Sequence, residues 1–111
     1  MPPSRSAYVY AHRKVREKRG TAASHRCVYC KRPADHWALN HTKAVKVTDG
    51  QFVWSEAPAD YDPLCRSCHR IYDQAFRKGG QDALEDVDRR LREKGLARRL
   101  LDFTARTTRW R

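Results

Sequence analysis

Four cysteines, arranged as two Cys-x-x-Cys pairs, constrain this chain more than any other feature of its sequence. The pairs are separated by 34 residues, and they consist of Cys27 with Cys30 and Cys65 with Cys68. Two intervening residues let both sulfurs of a pair face one ion at ~2.3 Å, and two pairs complete a closed tetrahedral zinc site of the structural type. Two disulfides, a redox dithiol or four unrelated core cysteines are the alternatives. We expect one structural Zn²⁺ bound by all four cysteines.

A bound ion would also compensate for the thin core that this composition allows. Of the 111 residues, 40% are apolar and 33% are charged, and the length fits one domain. Because the ion binds only the folded site, its binding free energy contributes to folding. We expect a single domain over residues 1–111. Its parts are a basic N-terminal helix and linker (1–26), a zinc-bound core (27–78), C-terminal helices (79–105) and a basic tail (106–111).

Helical patterns occur at both ends of the sequence. The first predicts a helix over residues 7–19, with Ser6 as its N-cap and Gly20 at its end. After the second cysteine pair the pattern becomes helical again, and glycines and an aspartate divide it. Helices are predicted there over Arg66–Lys78, 82–94 and 96–105, with Asp82 as a cap and Gly95 as a break.

Strand patterns are few and lie between the two cysteine pairs. Residues 37–41 form one candidate strand. Residues 44–47 and 51–55 can pair as a hairpin, because the dipeptide Asp49-Gly50 between them suits a type I′ turn. An Asp-rich stretch with two prolines then predicts a loop before the second cysteine pair. The fold class is therefore predicted as α+β with little strand.

Positive charge is concentrated in the two flanks of the chain. The net charge is +11, with +6 in residues 1–26, +7 in residues 89–111 and −2 in residues 27–88. Clustered Lys and Arg gain affinity for nucleic acids by releasing phosphate counterions, so we expect contact with double-stranded DNA, although a merely solvated surface is the alternative. The candidate DNA-binding residues are Arg13, Lys14, Arg16, Lys18, Arg19, Arg66, Arg70, Arg89, Arg90, Arg98 and Arg99.

Membrane and secretory signals are absent from the sequence pattern. No stretch approaches the ~20 apolar residues that a membrane span needs. The first five residues lack the apolar run of a secretory signal. We therefore expect a cytoplasmic protein without a membrane partner, in a compartment where structural disulfides are rare.

Two histidines add candidate chemistry to the cysteine framework. His41 lies eleven residues after Cys30, at the end of the candidate strand, and His69 directly follows Cys68. With this order the sequence resembles the HNH endonucleases of the His-Me finger (ββα-metal) group, especially small phage-type members with two zinc knuckles. The resemblance covers roughly residues 26–76. It implies a zinc-stapled ββα-metal core, a metal-dependent DNA endonuclease or nickase activity, and, for a phage protein, host cytoplasm and DNA-packaging proteins as partners.

The resemblance also implies a role for each matching residue. His41 corresponds to the general base, and Asn40 and His69 correspond to the ligands of a catalytic Mg²⁺ or Mn²⁺ ion. Asp60 stands where the family commonly has an Asn that steadies the loop and helps to orient the base. Two positions depart from the family, Asn40 for Asp and Asp60 for Asn, and an amide oxygen is a poorer ligand for a hard ion than a carboxylate.

Simpler interpretations of the same residues remain open. His41 could pack without function, His69 could merely support the zinc site, and His36 is a rival for the role of base. Asp73 lies four residues after His69 on the same helix face, where it could orient the imidazole or remain a surface acid. A non-catalytic zinc module that binds nucleic acid is therefore the alternative function. A protein–protein adaptor is a third, because the central region is acidic.

Overall fold

Three helices and two short antiparallel sheets make up the described part of the computed structural model, which covers residues 3–42, 46–50 and 52–108. The predicted α+β class is confirmed. The helices are α1 (Pro3–Arg19), α2 (Arg66–Gly79) and α3 (Leu84–Thr108). The strands are β1 (His36–Leu39), β2 (Val47–Asp49), β3 (Phe52–Trp54) and β4 (Tyr61–Leu64).

The pair of strands β1 and β4 forms the support for helix α2. The two strands are antiparallel, with His36 opposite Leu64 and Leu39 opposite Tyr61. The expected loop before the second cysteine pair was wrong, because residues around Pro63 form β4. Proline has no N–H to donate and is tolerated in an edge strand, and the Pro63 carbonyl accepts a hydrogen bond from the Val28 N–H at 3.1 Å.

The second sheet is the predicted hairpin, turning at Gly50 with a φ of 60°. Its first strand begins at Val47, where the predicted strand ends, and residues 44, 45 and 51 of the prediction lie outside the described residues. Phe52 faces α1, where its ring lies 5.6 Å from the Tyr8 ring. The first candidate strand, residues 37–41, begins one residue and ends two residues later than β1, so Asn40 and His41 follow β1 and are not part of it.

Helix α1 packs its thin apolar stripe against both the hairpin and the β1–β4 strand pair. Ala11 and Val15 are buried, and the helix ends at Gly20, which adopts a φ of 82° and donates its N–H to the Arg16 carbonyl at 2.9 Å. Ser6 was wrong as the N-cap, because the helix already begins at Pro3. Proline is favoured in a first helical turn, where its missing N–H costs nothing.

Helix α3 replaces the two helices that the sequence predicted. It runs without a break through Gly95, and Asp82 lies in a preceding 3₁₀ turn (Gly80–Ala83) and is not its cap. Gly95 is there for close packing, since a methyl group at this position would lie 2.8 Å from the Tyr29 carbonyl carbon and closer still to the oxygen. The basic tail is likewise helical through Thr108, and residues 109–111 lie outside the described residues.

Buried side chains form two clusters. One joins the four cysteines to the inner face of α3, including Leu84, Val87 and Leu91. The other joins Val15 of α1 to Trp37 and Tyr61 of the β1–β4 pair. The cysteines therefore lie inside the core, between the strand pair and the C-terminal helices.

Candidate functional site

The four cysteines come together as a cluster that can hold a metal ion such as zinc. All are buried, and their four Sγ atoms lie within 4.8 Å of one another. The Sγ atoms of Cys30 and Cys65 are 3.6 Å apart, far beyond the ~2.05 Å of a disulfide bond. Four thiols from two tight turns are the donor set that tetrahedral zinc favours, so the residues present fit the expected ion.

Backbone geometry prepares each cysteine pair for this arrangement. In the first pair, Lys31 adopts a φ of 63° and donates its N–H back to the Cys27 carbonyl at 3.0 Å. In the second, Cys65 is the N-cap of α2, and its thiol accepts the Cys68 N–H at 3.4 Å. A hydrogen bond from the Cys68 side chain lowers the pKa of Cys27. A lowered pKa favours the thiolate, which is the metal-binding form of cysteine.

His41 lies directly beyond β1, on top of helix α2. Its ring stacks on Phe76 with centroids 3.7 Å apart and planes 12° from parallel, and its backbone N–H donates to the Tyr72 hydroxyl at 3.1 Å. The Lys46 ammonium lies 3.3 Å from Nδ1. Burial, followed by the positive charge of Lys46, lowers the pKa of His41 to about 4. The imidazole is therefore neutral at pH 7.

His69 projects from the first turns of α2 and makes contacts through both ring nitrogens. Its Nε2 lies 3.2 Å from the Asp73 carboxylate, four residues along the same helix, and its Nδ1 lies 3.0 Å from Nδ1 of His36. Burial, the largest single influence, raises the pKa of Asp73, but the hydrogen bond from His69 and the electrostatic effects of His69, Arg77 and His41 together outweigh it, so the pKa is lowered. Asp73 is thus an ionised carboxylate that orients His69.

One cavity of about 620 Å³ joins these groups. Helix α2 contributes His69 and Asp73 to its wall, and the segment after β1 contributes His41. Helix α1 contributes Tyr8 and His12, which sequence reasoning did not connect with the site. No sequence signal could have found these two residues, because only the docking of α1 on the hairpin brings them to the cavity.

Asn40 and Asp60, the other two residues that the resemblance singled out, lie outside the walls of this cavity. The Asn40 amide donates to Asp62 at 2.8 Å and accepts from the Thr42 hydroxyl at 2.6 Å. The Asp60 carboxylate accepts from Ser55 at 2.6 Å. The Asp60 carbonyl accepts the Asn40 N–H at 2.8 Å, so the two residues fix the backbone directly before His41.

The candidate DNA-binding residues occupy different environments. Arg19 is tied into the fold, since its guanidinium donates to the carbonyls of Pro58 and Tyr61 at 2.9 and 2.6 Å and lies over the Trp37 ring. On α3, exposed Arg89 and Arg90 both pair with Asp86. The remaining candidates fall into two groups. The exposed ones are Arg13, Arg16 and Lys18 on α1 and Arg66 and Arg70 on α2, and the half-buried ones are Lys14 on α1 and Arg98 and Arg99 on α3.

Comparisons with known proteins identify no relative of this chain. No family model matches it, and neither a curated protein nor a solved structure shows a significant match. Across residues 3–42, 46–50 and 52–108, no helix has both the length and the apolar character that crossing a membrane requires. Any assignment of function therefore depends on the cysteine cluster and on the histidine-lined cavity.

Proposed function

We propose that this protein is a metal-dependent, HNH-type DNA endonuclease or nickase, built on a scaffold that one structural Zn²⁺ ion holds through the four cysteines. One observation carries the proposal. His41, following the first strand of an antiparallel pair, and His69, on the helix that follows the second strand, line the same cavity. Strand, strand and helix in this order, with a histidine at each matching place, are the arrangement that the ββα-metal resemblance implies.

The chemistry proposed for the cavity is hydrolysis of a phosphodiester bond. His41 is neutral at pH 7, so it can take a proton from the attacking water molecule. A divalent ion at His69 would supply positive charge to the phosphate and to the leaving oxygen. Arg77, another residue of the cavity wall, adds a positive charge that suits a phosphate.

Lys46 limits the basicity of His41 in this arrangement. When its ammonium donates to Nδ1 of His41, the ring proton of the neutral imidazole lies on Nε2. Proton uptake at Nδ1 then requires Lys46 to release this hydrogen bond. Lys46 also donates to the Gln81 side chain at 2.6 Å, and Gln81 donates to the His41 carbonyl at 3.0 Å, so an alternative partner for the lysine lies beside the ring.

A non-catalytic module that binds nucleic acid is the second candidate. The observation in its favour is that the side chain of Asn40, one of the two implied ligands, is occupied by hydrogen bonds to Asp62 and Thr42. The exposed basic residues of α1, such as Arg13 and Arg16, would serve either function. Cleavage therefore has to be measured separately from binding.

The decisive experiment incubates zinc-loaded protein with supercoiled plasmid, with and without Mg²⁺, Mn²⁺ or EDTA. His41→Gln should reduce divalent-dependent nicking by ~10²–10⁴, the usual loss when a general base is removed. The matched control is His25→Gln, because His25 does not line the cavity and its Nε2 partner, the Arg19 carbonyl at 2.8 Å, can be kept by a glutamine amide. Zinc content, circular dichroism and DNA affinity should be the same in both variants.

A second variant, Lys46→Met, tests whether His41 acts as the base. Removing the ammonium should raise the pKa of His41 toward its ordinary value and increase the nicking rate near neutral pH. An inactive wild-type protein together with an inactive Lys46→Met variant, both binding DNA, would reject the nuclease and leave the binding module.

A further inference from the structure

The imidazoles of His36 and His69 meet at the junction of β1 and α2. The two Nδ1 atoms lie 3.0 Å apart, and the ring planes are inclined by 62°. His36 is the first residue of its strand, and the register that places it opposite Leu64 brings it next to the start of α2. Two ring nitrogens at this distance must either share one proton or face a common cation.

The position of Asp73 decides which nitrogen of His69 is available. Because the Asp73 carboxylate accepts the Nε2–H of His69, a neutral His69 ring has its lone pair on Nδ1, the atom that faces His36. A histidine that binds a metal ion through one nitrogen usually donates the other N–H to a carboxylate or carbonyl, which fixes both tautomer and orientation. His69 already has this arrangement.

We propose that His36 and His69 together bind one divalent first-row transition-metal ion through their Nδ1 atoms, and that Asp73 positions His69 for it. The pair is accessible, since His69 is one-quarter exposed and lies between the 620 Å³ cavity and a second cavity of about 550 Å³ that His36 also lines. The inference rests on the proposed function in one respect, because it names the ion that His69 would use for cleavage. Metal binding itself can be measured without cleavage.

The donor set favours a borderline ion over Mg²⁺. Imidazole suits Zn²⁺, Ni²⁺, Co²⁺ and Cu²⁺, whereas Mg²⁺ takes oxygen ligands in octahedral geometry. Two neighbouring carboxylates already accept hydrogen bonds: Asp73 accepts from His69, and Asp35, the residue before His36, accepts the Arg66 N–H at 2.7 Å. Two imidazole nitrogens would thus bind Mg²⁺ weakly, because Mg²⁺ is normally held in proteins by carboxylates.

The site would also be open, unlike the cysteine cluster. Among the residues whose positions are described, the four cysteines are the one group of three or more His, Cys, Asp or Glu side chains with converging ligand atoms. No third such side chain therefore joins His36 and His69. An ion held by two imidazoles keeps positions for water and for an oxygen of a ligand, which is typical of reactive metal sites and not of structural ones.

The test titrates zinc-loaded protein with NiCl₂ and, separately, with MgCl₂ by isothermal titration calorimetry. The zinc content is measured before and after, so that exchange at the cysteines is detected. The wild type should bind one equivalent of Ni²⁺ without losing zinc and should bind Mg²⁺ at least tenfold more weakly. His36→Gln and His69→Gln should each weaken Ni²⁺ binding by at least tenfold, and Asp73→Asn by ~10-fold or more.

His25→Gln provides the matched control and should bind Ni²⁺ as the wild type does. Unchanged Ni²⁺ affinity in His36→Gln, equal loss in His25→Gln, or Mg²⁺ binding as tight as Ni²⁺ binding would each overturn the inference. The two proposals fail separately. Plasmid that stays intact while Ni²⁺ binding depends on both histidines rejects the nuclease alone. Divalent-dependent nicking together with Ni²⁺ binding that is unchanged in His36→Gln rejects the two-histidine site alone.

Discussion

Replacement of Gly95 by alanine discriminates between two explanations of this glycine, because they predict changes of opposite sign in the free energy of unfolding. If Gly95 merely weakened a helix, alanine would stabilise the protein by up to about 1 kcal/mol. In the structure, however, the new methyl group would meet backbone atoms of the first cysteine pair, at 2.8 Å from the Tyr29 carbonyl carbon and 3.1 Å from the Cys30 Cα. Forcing an extra carbon into a packed contact costs about 1–3 kcal/mol. We expect Gly95→Ala to lower the free energy of unfolding by about 1–2 kcal/mol after both effects are combined.

The assay is urea unfolding of the zinc-loaded protein, followed by far-ultraviolet circular dichroism at a fixed free zinc concentration. Ala97→Gly, at an exposed position of the same helix, measures the intrinsic difference between glycine and alanine in α3 and should cost about 0.5–1 kcal/mol. The same displacement should weaken the hydrogen bond from Tyr29 to Asp88, now 2.9 Å long. A Gly95→Ala protein that is more stable than the wild type would refute the close packing of α3 against the cysteine pair.

Three further predictions concern the metal, the buried histidine and the basic helix. Cys68→Ser should lose zinc and the cooperative unfolding transition, whereas Ser67→Ala in the same turn should keep both; atomic absorption and urea unfolding measure this. Because the pKa of His41 is about 4 in the folded protein and 6.5 ordinarily, the unfolded chain binds more protons between these values. The free energy of unfolding is therefore highest above pH 6.5 and falls as the pH is lowered. Between pH 7 and 5 it should fall by about 2 kcal/mol more in the wild type than in His41→Gln. An equal dependence on pH in the two proteins would contradict the burial of this ring. Finally, Arg13→Gln with Arg16→Gln should reduce the log–log salt slope of duplex DNA binding by about 0.9 for each phosphate contact removed, and an affinity independent of salt would contradict DNA binding by α1.

Local signals in the sequence were sufficient for much of the fold. The Asp49-Gly50 turn, the end of α1 at Gly20 and the stripe of Ala11 and Val15 were each predictable, because turn chemistry and helical periodicity are properties of a few neighbouring residues. The spacing of the cysteines likewise predicted that they would converge. These features depend little on where the rest of the chain lies.

The misassignments came from tertiary contacts that override local preference. Pro63 argued against a strand, but β4 is an edge strand of a two-stranded sheet, where a missing N–H is harmless. Gly95 argued for a helix break, but its missing side chain is what lets α3 approach the Tyr29 carbonyl. In both cases the residue is explained by its neighbour in space, which the sequence does not identify.

The candidate site shows the same division. The resemblance implies that His41 and His69 serve one site, and both line the cavity. The sequence does not predict the contact of His36 with His69, because this contact depends on the β1–β4 register, and a pattern that predicts a loop in place of β4 gives no register. From the sequence alone, His36 is only a rival for the role of base.

The cysteine cluster and the histidine pair are coupled through one short segment of backbone. Asp35, directly before His36, donates its N–H to the Leu64 carbonyl at 3.0 Å and accepts the Arg66 N–H at the start of α2. The His69 N–H in turn donates to the Cys65 carbonyl at 2.9 Å. The bonds that join β1 to α2 and align the two imidazoles thus involve residues directly beside Cys65. An ion in the cysteine cluster would hold this backbone in place, so the proposed zinc would pre-organise the histidine pair although it touches neither imidazole.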